Sequence, residues 1–202
     1  MPGSSKILVI DTATEFVYLS LVIDGTEAGF AYKNDVNNHA VTVMPLLDEI
    51  LRASGVKLRE LTGVVVGIGP GSYTGVRIGV SIAKMIGYLN GIPVSTVSTL
   101  ALLASGSSEP KIWSFIDARR GNAFMACFEQ RDGLLVPTIP DTLENIESFR
   151  NRIDSQYSRT VSGKPDAVKI LNSRLTSPVG NVHELVPNYL QVTEAERNKG
   201  KS

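Results

Sequence analysis

The chain has 202 residues, of which 43% are hydrophobic and 20% charged, a composition typical of a soluble globular protein with one sizeable core or two small ones. Its 20 basic residues balance 20 acidic ones, so the net charge provides no general attraction to nucleic acid. One cysteine excludes an intramolecular disulfide, two distant histidines disfavour a histidine-rich metal site, and the lack of a long apolar run predicts a cytoplasmic protein without a membrane span.

The first quarter of the chain predicts an antiparallel meander followed by a helix. Lys6–Asp11 is expected to be a strand that ends in a carboxylate, and Phe16–Ile23 alternates well enough to be its hairpin partner. An Asp-Gly turn then leads to a third strand at 27–32. A helix is expected over His39–Ala53, because its apolar residues recur at helical spacing. They form a broad face of Val43, Leu46, Leu47, Ile50 and Leu51, with Met44 beside it.

Residues 64–97 predict a strand, a helix and a second strand in a βαβ unit. The apolar, β-branched run at 64–68 is typical of a buried strand, and the Gly-Pro-Gly sequence after it ends that strand. We expect the helix over 72–90, with Ser72 or Thr74 as its cap, and the next strand over 92–97.

Small residues recur at every fourth position of this helix and form a ridge without large side chains along one face. They are Gly71, Gly75, Gly79, Ala83 and Gly87. An interior glycine costs a helix roughly 1 kcal/mol relative to alanine, so the ridge indicates that another group approaches the helix backbone closely. That group belongs either to the chain's own sheet or neighbouring helix, or to another subunit.

A polar stretch at 105–110 predicts a boundary between a first lobe, 1–105, and a reduced second lobe with a tail, 106–202. Beyond it the opening pattern recurs, because Lys111–Asp117 resembles Lys6–Asp11 and a second Asp-Gly turn follows a second hairpin strand at 122–129. Asp11 and Asp117 are 106 residues apart, and the two Asp-Gly turns keep nearly the same offset. The sequence therefore predicts an internal duplication. The second copy continues with a helix at 142–153, a strand at 159–161 and a helix at 165–174.

The glycine-rich turn matches neither the known phosphate-binding motifs nor the motif that carries a nucleophilic serine. Val76 and Arg77 follow Gly75 where a P-loop has lysine and serine or threonine, and the glycine spacing of dinucleotide sites is absent. A nucleophile elbow has glycines two positions before and two positions after its serine, and Ser72 has Pro70 and Thr74 there instead. A role as helix cap is therefore favoured. His39 is similarly interpreted as a residue at a helix start.

Asp11 and Asp117 end corresponding strands and are the paired carboxylates of interest. In a duplicated fold they would face one cleft and could hold a cation or a phosphate-bound metal. The alternative is that each carboxylate only bonds amides of its own turn. Arg119 and Arg120 could bind an anion or a partner's carboxylate, or form a solvated basic loop.

Four segments together resemble the TsaB (YeaZ-type) family: ILVIDTATEFVYLSLVIDG, GIGPGSYTGVRIGVSIAKMIGYLNGIPV, FIDARRGNAFMACF and PNYLQVTEAE. They occur in this order over most of the chain, and GPGSYTGVRIG is specific. The resemblance implies an α/β fold of two actin-like/ribonuclease-H-like (ASKHA) lobes, the second reduced. It also implies a role in making threonylcarbamoyladenosine (t6A) at adenosine 37 of tRNAs that read codons beginning with A.

The resemblance further implies a non-catalytic subunit. A TsaB-type protein is similar to its catalytic paralogue TsaD and is its obligate bacterial partner, together with a TsaE-type ATPase. Where the catalytic relatives carry two metal-binding histidines, counting along the chain places Thr99 and Leu103 here. The superfamily's Asp-x-Gly-Thr motif is here an Asp-Thr-Ala-Thr sequence at 11–14. We therefore expect no catalytic residue and no metal. Asp11, Thr12 and Asp117 are the remaining candidates for nucleotide contact, with ATP or ADP conceivable only at the partner interface.

The small-residue ridge and the broad apolar face lead us to expect that helices 38–53 and 72–90 pair with the same helices of the TsaD-type partner, or with a second copy when the chain is alone. We expect tRNA to bind only through the complex. The expected interface residues are Val43, Met44, Leu47, Ile50, Leu51, Gly75, Ile78, Gly79, Ile82, Ala83 and Ile86. Three functions therefore stand side by side: the scaffold, a small ASKHA-type ATP-dependent enzyme or peptidase acting on its paralogue, and a direct tRNA-binding module.

Overall fold

The structure is a computed structural model that describes residues 3–34 and 38–190. In this part of the chain the strands are β1 Lys6–Asp11, β2 Phe16–Ile23, β3 Thr26–Asn34, β4 Gly63–Gly67, β5 Val94–Val97, β6 Lys111–Asp117, β7 Asn122–Arg131, β8 Leu134–Asn145, β9 Ser158–Thr160 and β10 Ser177–Pro178. The α-helices are α1 His39–Ala53, α2 Tyr73–Asn90, α3 Thr99–Ser105, α4 Ile146–Arg152 and α5 Ala167–Asn172. Short 3₁₀ turns cover Leu58–Glu60 and Val182–Glu184.

The two sheets share one topology. The first sheet has the strand order β3-β2-β1-β4-β5-β10, and the second has the order β8-β7-β6-β9. In each sheet an opening hairpin, β1-β2 or β6-β7, continues antiparallel to a third strand and gains a parallel fourth strand beside its first. The second copy ends there. The predicted α/β fold of two lobes with the second reduced is confirmed.

The central strands of the first sheet, β1, β2 and β4, are buried on both faces, as the continuous apolar runs of β1 and β4 predict. Side chains of β1 alternate between two cores, so Leu8 and Ile10 pack under α1 and α2, whereas Val9 faces the second core. That second core joins the first sheet to α3, α5 and the second sheet through residues such as Leu100 and Ile112. The β1–β2 and β6–β7 turns therefore extend from buried strands.

The region after the second hairpin differs from the prediction. Strand β8 extends to Asn145 because Thr142 and Leu143 pair with β7, so the predicted helix 142–153 shrinks to α4. The Asn145 side chain accepts hydrogen bonds from the amides of Glu147 and Ser148, and this cap starts the helix there. Strand β8 contains Pro137, which an edge strand tolerates.

The chain returns to the first lobe near its end. Strand β10 pairs with β5, and the amide of Asn188 donates to the carbonyl oxygen of Ile68 at 2.7 Å. The predicted division between 1–105 and 106–202 falls directly after α3 and stays a prediction. Residues 191–202, which include the end of the PNYLQVTEAE segment, lie outside the described residues. No helix in the described ranges has the length and apolar character needed to cross a membrane.

Candidate functional site

The small-residue ridge of α2 packs against the chain's own β1–β2 turn. The Thr12 hydroxyl donates to the carbonyl oxygen of Gly75 at 2.6 Å and accepts from the amide of Gly79 at 3.0 Å. The amide of Ser72 donates to the carbonyl oxygen of Ala13 at 2.7 Å. A Cβ atom on Gly79 would lie 2.7 Å from the Thr12 hydroxyl oxygen, well inside van der Waals contact. The close approach that the ridge indicates is thus intramolecular.

Most of the residues expected at a partner interface are core residues of this chain, which corrects that expectation. They pack against the first sheet or its β1–β2 turn, where burial stabilises the chain's own fold. The buried residues are Val43, Leu47, Ile50, Leu51, Gly75, Gly79, Ile82, Ala83 and Ile86. Of the expected residues, only Met44, with 40% of its surface exposed, and the partly buried Ile78 reach the outside.

The outward faces of α1 and α2 carry a different apolar set. Val41 is 69% exposed and Leu89 is 70% exposed, and Met85 is 43% exposed one helical turn before Leu89. We call these residues, together with Met44 and Ile78, the outer helix surface, which extends from Val41 at the start of α1 to Leu89 at the end of α2. The periodicity of the sequence could not separate this surface from the core face, because both helices are apolar over much of their circumference.

A cleft of about 970 Å³ lies between the two lobes. The first lobe contributes the β1–β2 turn with Thr14 and Glu15, the start of α1 with His39, and the start of α2 from Ser72 to Val76. The second lobe contributes the β6–β7 turn, residues 116–120. Residues 177–190, which return to the first lobe and which we call the returning segment, also line the cleft with residues 188–190.

Polar side chains on the first-lobe wall of the cleft have structural partners. The Ser72 side chain accepts a hydrogen bond from the amide of Gly75 at 3.2 Å, as its interpretation as a helix cap predicts. His39 begins α1, and its Nε2 atom lies 3.1 Å from the carbonyl oxygen of Thr14. The imidazole thereby links the start of α1 to the β1–β2 turn.

The paired strand-end aspartates form the same turn in both lobes. The Asp11 carboxylate accepts from the amide of Ala13 at 2.7 Å, and the Asp117 carboxylate accepts from the amide of Arg119 at 2.8 Å. Asp117 lines the cleft, but Asp11 is buried beneath the turn, so the two do not face one another across the cleft as expected. Burial raises the pKa of Asp11 to about 6, although the hydrogen bond from Ala13 lowers it.

Thr12 is also engaged within the fold, since its hydroxyl bonds α2. Of the three candidates for nucleotide contact, Asp11 and Thr12 are therefore enclosed and Asp117 is on the cleft.

The β6–β7 turn directs two cations to the second-lobe wall. Arg119 and Arg120 have φ values of 67° and 54°, and Gly121 follows with a φ of 74°. This left-handed run is costly for side chains other than glycine, and it places both arginines on the lining of the cleft.

An aromatic cluster stands at the mouth of the cleft, and sequence reasoning missed it. The Tyr73 and Tyr189 rings have centroids 5.2 Å apart, the Arg77 guanidinium carbon lies 3.9 Å from the Tyr73 centroid, and Arg77 Nε donates to the Tyr189 hydroxyl at 2.7 Å. We call these three residues the mouth cluster. No local signal could have found it, because 112 residues separate Arg77 from Tyr189.

The positions aligned with metal-binding histidines lie inside α3. Thr99 and Leu103 are both buried there. Across residues 3–34 and 38–190, no three His, Cys, Asp or Glu side chains are grouped so that they could hold a metal ion. The cysteine, Cys127, is buried in the second sheet, and burial raises the pKa of its thiol to about 12, so the thiolate is scarce at neutral pH.

The amino-acid sequence matches one family model and several named bacterial proteins. Residues 28–156 match the family model described as TsaD: tRNA N6-adenosine threonylcarbamoyltransferase. The chain is 29% identical over 221 residues to the tRNA threonylcarbamoyladenosine biosynthesis protein TsaB of Bacillus subtilis, covering 94% of this chain and 96% of that one. The Escherichia coli protein of the same name is 37% identical over 131 residues, or 63% of this chain and 56% of its own.

A second group of similar proteins carries no functional name. An uncharacterized protein of Mycobacterium bovis is 34% identical over 208 residues, covering 95% of this chain and 94% of its own. Among solved structures, YeaZ from Pseudomonas aeruginosa superposes with a TM-score of 0.78 at 22% identity, over 92% of this chain and 100% of that one. A further Pseudomonas aeruginosa structure, described as similar to peptidase YEAZ, gives a TM-score of 0.79 at 23% identity over 93% of this chain and 100% of that one. At these identities the two structures show the fold.

Proposed function

Because the chain belongs to the TsaD family as a TsaB (YeaZ-type) protein with a role in tRNA threonylcarbamoyladenosine biosynthesis, we propose that it acts there as a non-catalytic scaffold. Its partner in this proposal is a catalytic TsaD-type paralogue. The chain supports the threonylcarbamoylation of adenosine 37 by binding and positioning that paralogue, while tRNA and a TsaE-type ATPase join through the complex.

The outer helix surface carries the proposal. Its large apolar residues lie on two adjacent helices whose inward faces already fill the core. A group of exposed large apolar side chains on neighbouring elements is costly in water and marks an interaction surface. Burying Val41, Met85 and Leu89 against a partner supplies the apolar centre that stable interfaces need. A second copy covers the same surface when the paralogue is absent.

The state of the reactive groups supports a non-catalytic role. The Asp11 carboxylate, the Thr12 hydroxyl and the Ser72 hydroxyl are each bonded to backbone groups of their own turn or of α2. Thr99 and Leu103 are buried in a helix where the resemblance implies metal-binding histidines in the catalytic relatives.

Lysine substitutions on the outer helix surface test the proposal. Val41→Lys and Leu89→Lys each place a charge where an apolar contact is expected, and both positions are so exposed that the fold should tolerate the change. We expect each variant to weaken binding to a purified TsaD-type protein by tenfold or more, on the order of 1.4 kcal/mol, measured by titration calorimetry.

Leu134→Lys and Val161→Lys are matched controls, because both residues are exposed apolar side chains of the second lobe, outside the outer helix surface. They should bind the paralogue as the unmodified chain does. Equal affinity for all four variants, or turnover of ATP by the purified chain alone, would remove this proposal.

A further inference from the structure

We propose that the returning segment is part of the surface that binds the TsaD-type paralogue, with Val186 and Tyr88 as contact residues. This inference rests on the proposed function and deepens it, because it extends the surface covered by the partner from two helices to a third element. It is carried by the way in which the segment lies along α2 and by the apolar side chains that remain exposed there.

The returning segment follows one side of α2. Tyr73 and Arg77 contact Tyr189 near the start of the helix. Toward its end, Lys84 donates to the carbonyl oxygens of residues 183 and 185 at 2.9 and 3.1 Å, and the Tyr88 ring centroid lies 4.7 Å from that of the His183 imidazole. The segment therefore runs in the opposite direction to α2. The four contacting residues are Tyr73, Arg77, Lys84 and Tyr88, whose spacings of four, seven and four residues place them on one side of the helix.

The neighbouring side of α2 belongs to the outer helix surface. Met85 and Leu89 follow Lys84 and Tyr88 by one residue each, a rotation of about 100° around the helix axis at 3.6 residues per turn. Tyr88 is also three residues after Met85, a spacing that makes two side chains neighbours on a helix surface. The outer helix surface and the returning segment therefore border one another along α2.

Large apolar side chains stay exposed at this border. Val186 is 66% exposed and Tyr88 is 63% exposed. The residues on either side of Val186 are anchored, because Leu185 is buried in the first core and the amide of Asn188 donates to the carbonyl oxygen of Ile68 at 2.7 Å. Val186 is thus presented to solvent between two fixed points. Such preorganisation lowers the entropy cost of binding a partner.

The size of a stable interface also requires more than the outer helix surface. Such an interface buries roughly 800 Å² on each partner and involves about 20–30 residues of each. The outer helix surface supplies five apolar residues, so the covered area must continue onto neighbouring elements. Among the described residues, eleven large apolar or aromatic side chains are exposed, and six of these lie on α2 or the returning segment. They are Tyr73, Met85, Tyr88, Leu89, Val186 and Tyr189.

Site-specific photocrosslinking tests the contact directly. The photoreactive amino acid p-benzoylphenylalanine replaces Val186 in the full chain, the protein is irradiated with a purified TsaD-type protein, and crosslinked peptides are identified by mass spectrometry. The same replacement of Val41 reports on the outer helix surface. Val161, an exposed valine of the second lobe, provides the matched control. We expect crosslinks to the paralogue from positions 41 and 186 and none from position 161.

Val186→Lys gives a second measurement, because it places a charge where an apolar contact is expected. We expect it to weaken binding to the TsaD-type protein by about fivefold or more in titration calorimetry. Val161→Lys should bind as the unmodified chain does. An unchanged midpoint of urea unfolding for Val186→Lys shows that its fold is intact, as the exposure of the side chain predicts.

The inference is overturned if position 186 gives no crosslink to the paralogue, including the case in which it crosslinks only a second copy of the chain. It is equally overturned if Val186→Lys binds the paralogue as tightly as the unmodified chain. Crosslinks from position 41 together with weaker binding by Val41→Lys would then leave the proposed function intact. The absence of crosslinks from both positions would remove the proposed surface as well.

Discussion

At the scale of single residues, Asp11 and Asp117 show how one local structure acquires two different properties. Both carboxylates accept a hydrogen bond from the amide two residues later, so the turn is the same in each lobe. Asp11 lies under the first-lobe turn and is 5% exposed, whereas Asp117 stands on the cleft in water. The two aspartates therefore differ in burial, which penalises the charged form of Asp11 and raises its pKa.

The pH dependence of stability should carry the signature of Asp11. Its folded-state pKa of about 6 exceeds the ordinary value of 3.8, so the folded state holds the proton more tightly than the unfolded state does. This contribution to stability is complete below about pH 4 and is lost as the pH rises through about 6. The full difference is on the order of 3 kcal/mol.

Asp11→Asn keeps an oxygen that can accept from Ala13 and removes the ionisation. We expect urea unfolding of this variant to lose most of the decrease in stability that the unmodified chain shows between pH 4 and pH 8. Asp117→Asn is the control at the equivalent exposed position and should keep the decrease. An identical pH profile for Asp11→Asn and the unmodified chain would contradict the burial of a charged group at this site.

At the scale of elements, α2 is defined by what its ridge touches. Gly79→Ala should destabilise the isolated chain by about 1–3 kcal/mol in denaturant unfolding, because the added methyl group meets the Thr12 hydroxyl that bonds α2 at two points. If the ridge instead faced another subunit, the same substitution would stabilise the chain by about 1 kcal/mol through helix propensity. The sign of the change therefore decides between the two interpretations.

Gly63→Ala is the control for this experiment, since a Cβ atom there would make an ordinary contact at 3.8 Å with Ile7. Its effect on unfolding should be small. A stabilising effect of Gly79→Ala together with loss of partner binding would show that the ridge contacts the partner and not the chain's own turn.

The sequence was informative for elements with a strong pattern and a clear end. The bounds of β1, β2, α1 and β6 follow the prediction, because an apolar run or periodic face is bounded there by turn residues. Strand β8 was missed because its prolines resemble loop residues, and an edge position that tolerates them is a property of the sheet. Helix α3 was missed because it is short and buried all round, which removes any amphipathic pattern.

The candidate sites were less predictable for a physical reason. A ridge of small residues reports close approach but does not identify the approaching group, and an apolar helix does not reveal which of its sides faces the sheet. The mouth cluster needs Arg77 and Tyr189, which only the returning segment brings together. The cap at Ser72 and the turn at Asp117 were predictable because each depends on residues within three positions.

At the scale of the whole molecule, one sheet topology occurs twice, and the two copies differ in the helices and strands that accompany it. The first lobe has two long helices over its sheet and exposes apolar side chains on them. In the described part of the second lobe the sheet has a hairpin, a third strand and one parallel strand, and the helices α4 and α5 are short. The returning segment contacts α2 through Lys84, which donates hydrogen bonds to the carbonyl oxygens of His183 and Leu185. The outer helix surface is thereby held in place from within the chain.

The scaffold account is tested most directly by reconstituting tRNA modification from purified components. A TsaD-type protein, a TsaE-type ATPase, a source of activated threonylcarbamoyl group and an unmodified tRNA are combined with and without this chain, and t6A is quantified by mass spectrometry of digested tRNA. We predict t6A only when the chain is present, and at least a tenfold loss of initial rate when Val41→Lys and Leu89→Lys are combined at limiting chain concentration. Equal t6A formation without the chain, or an unimpaired rate with the double variant, would contradict the account.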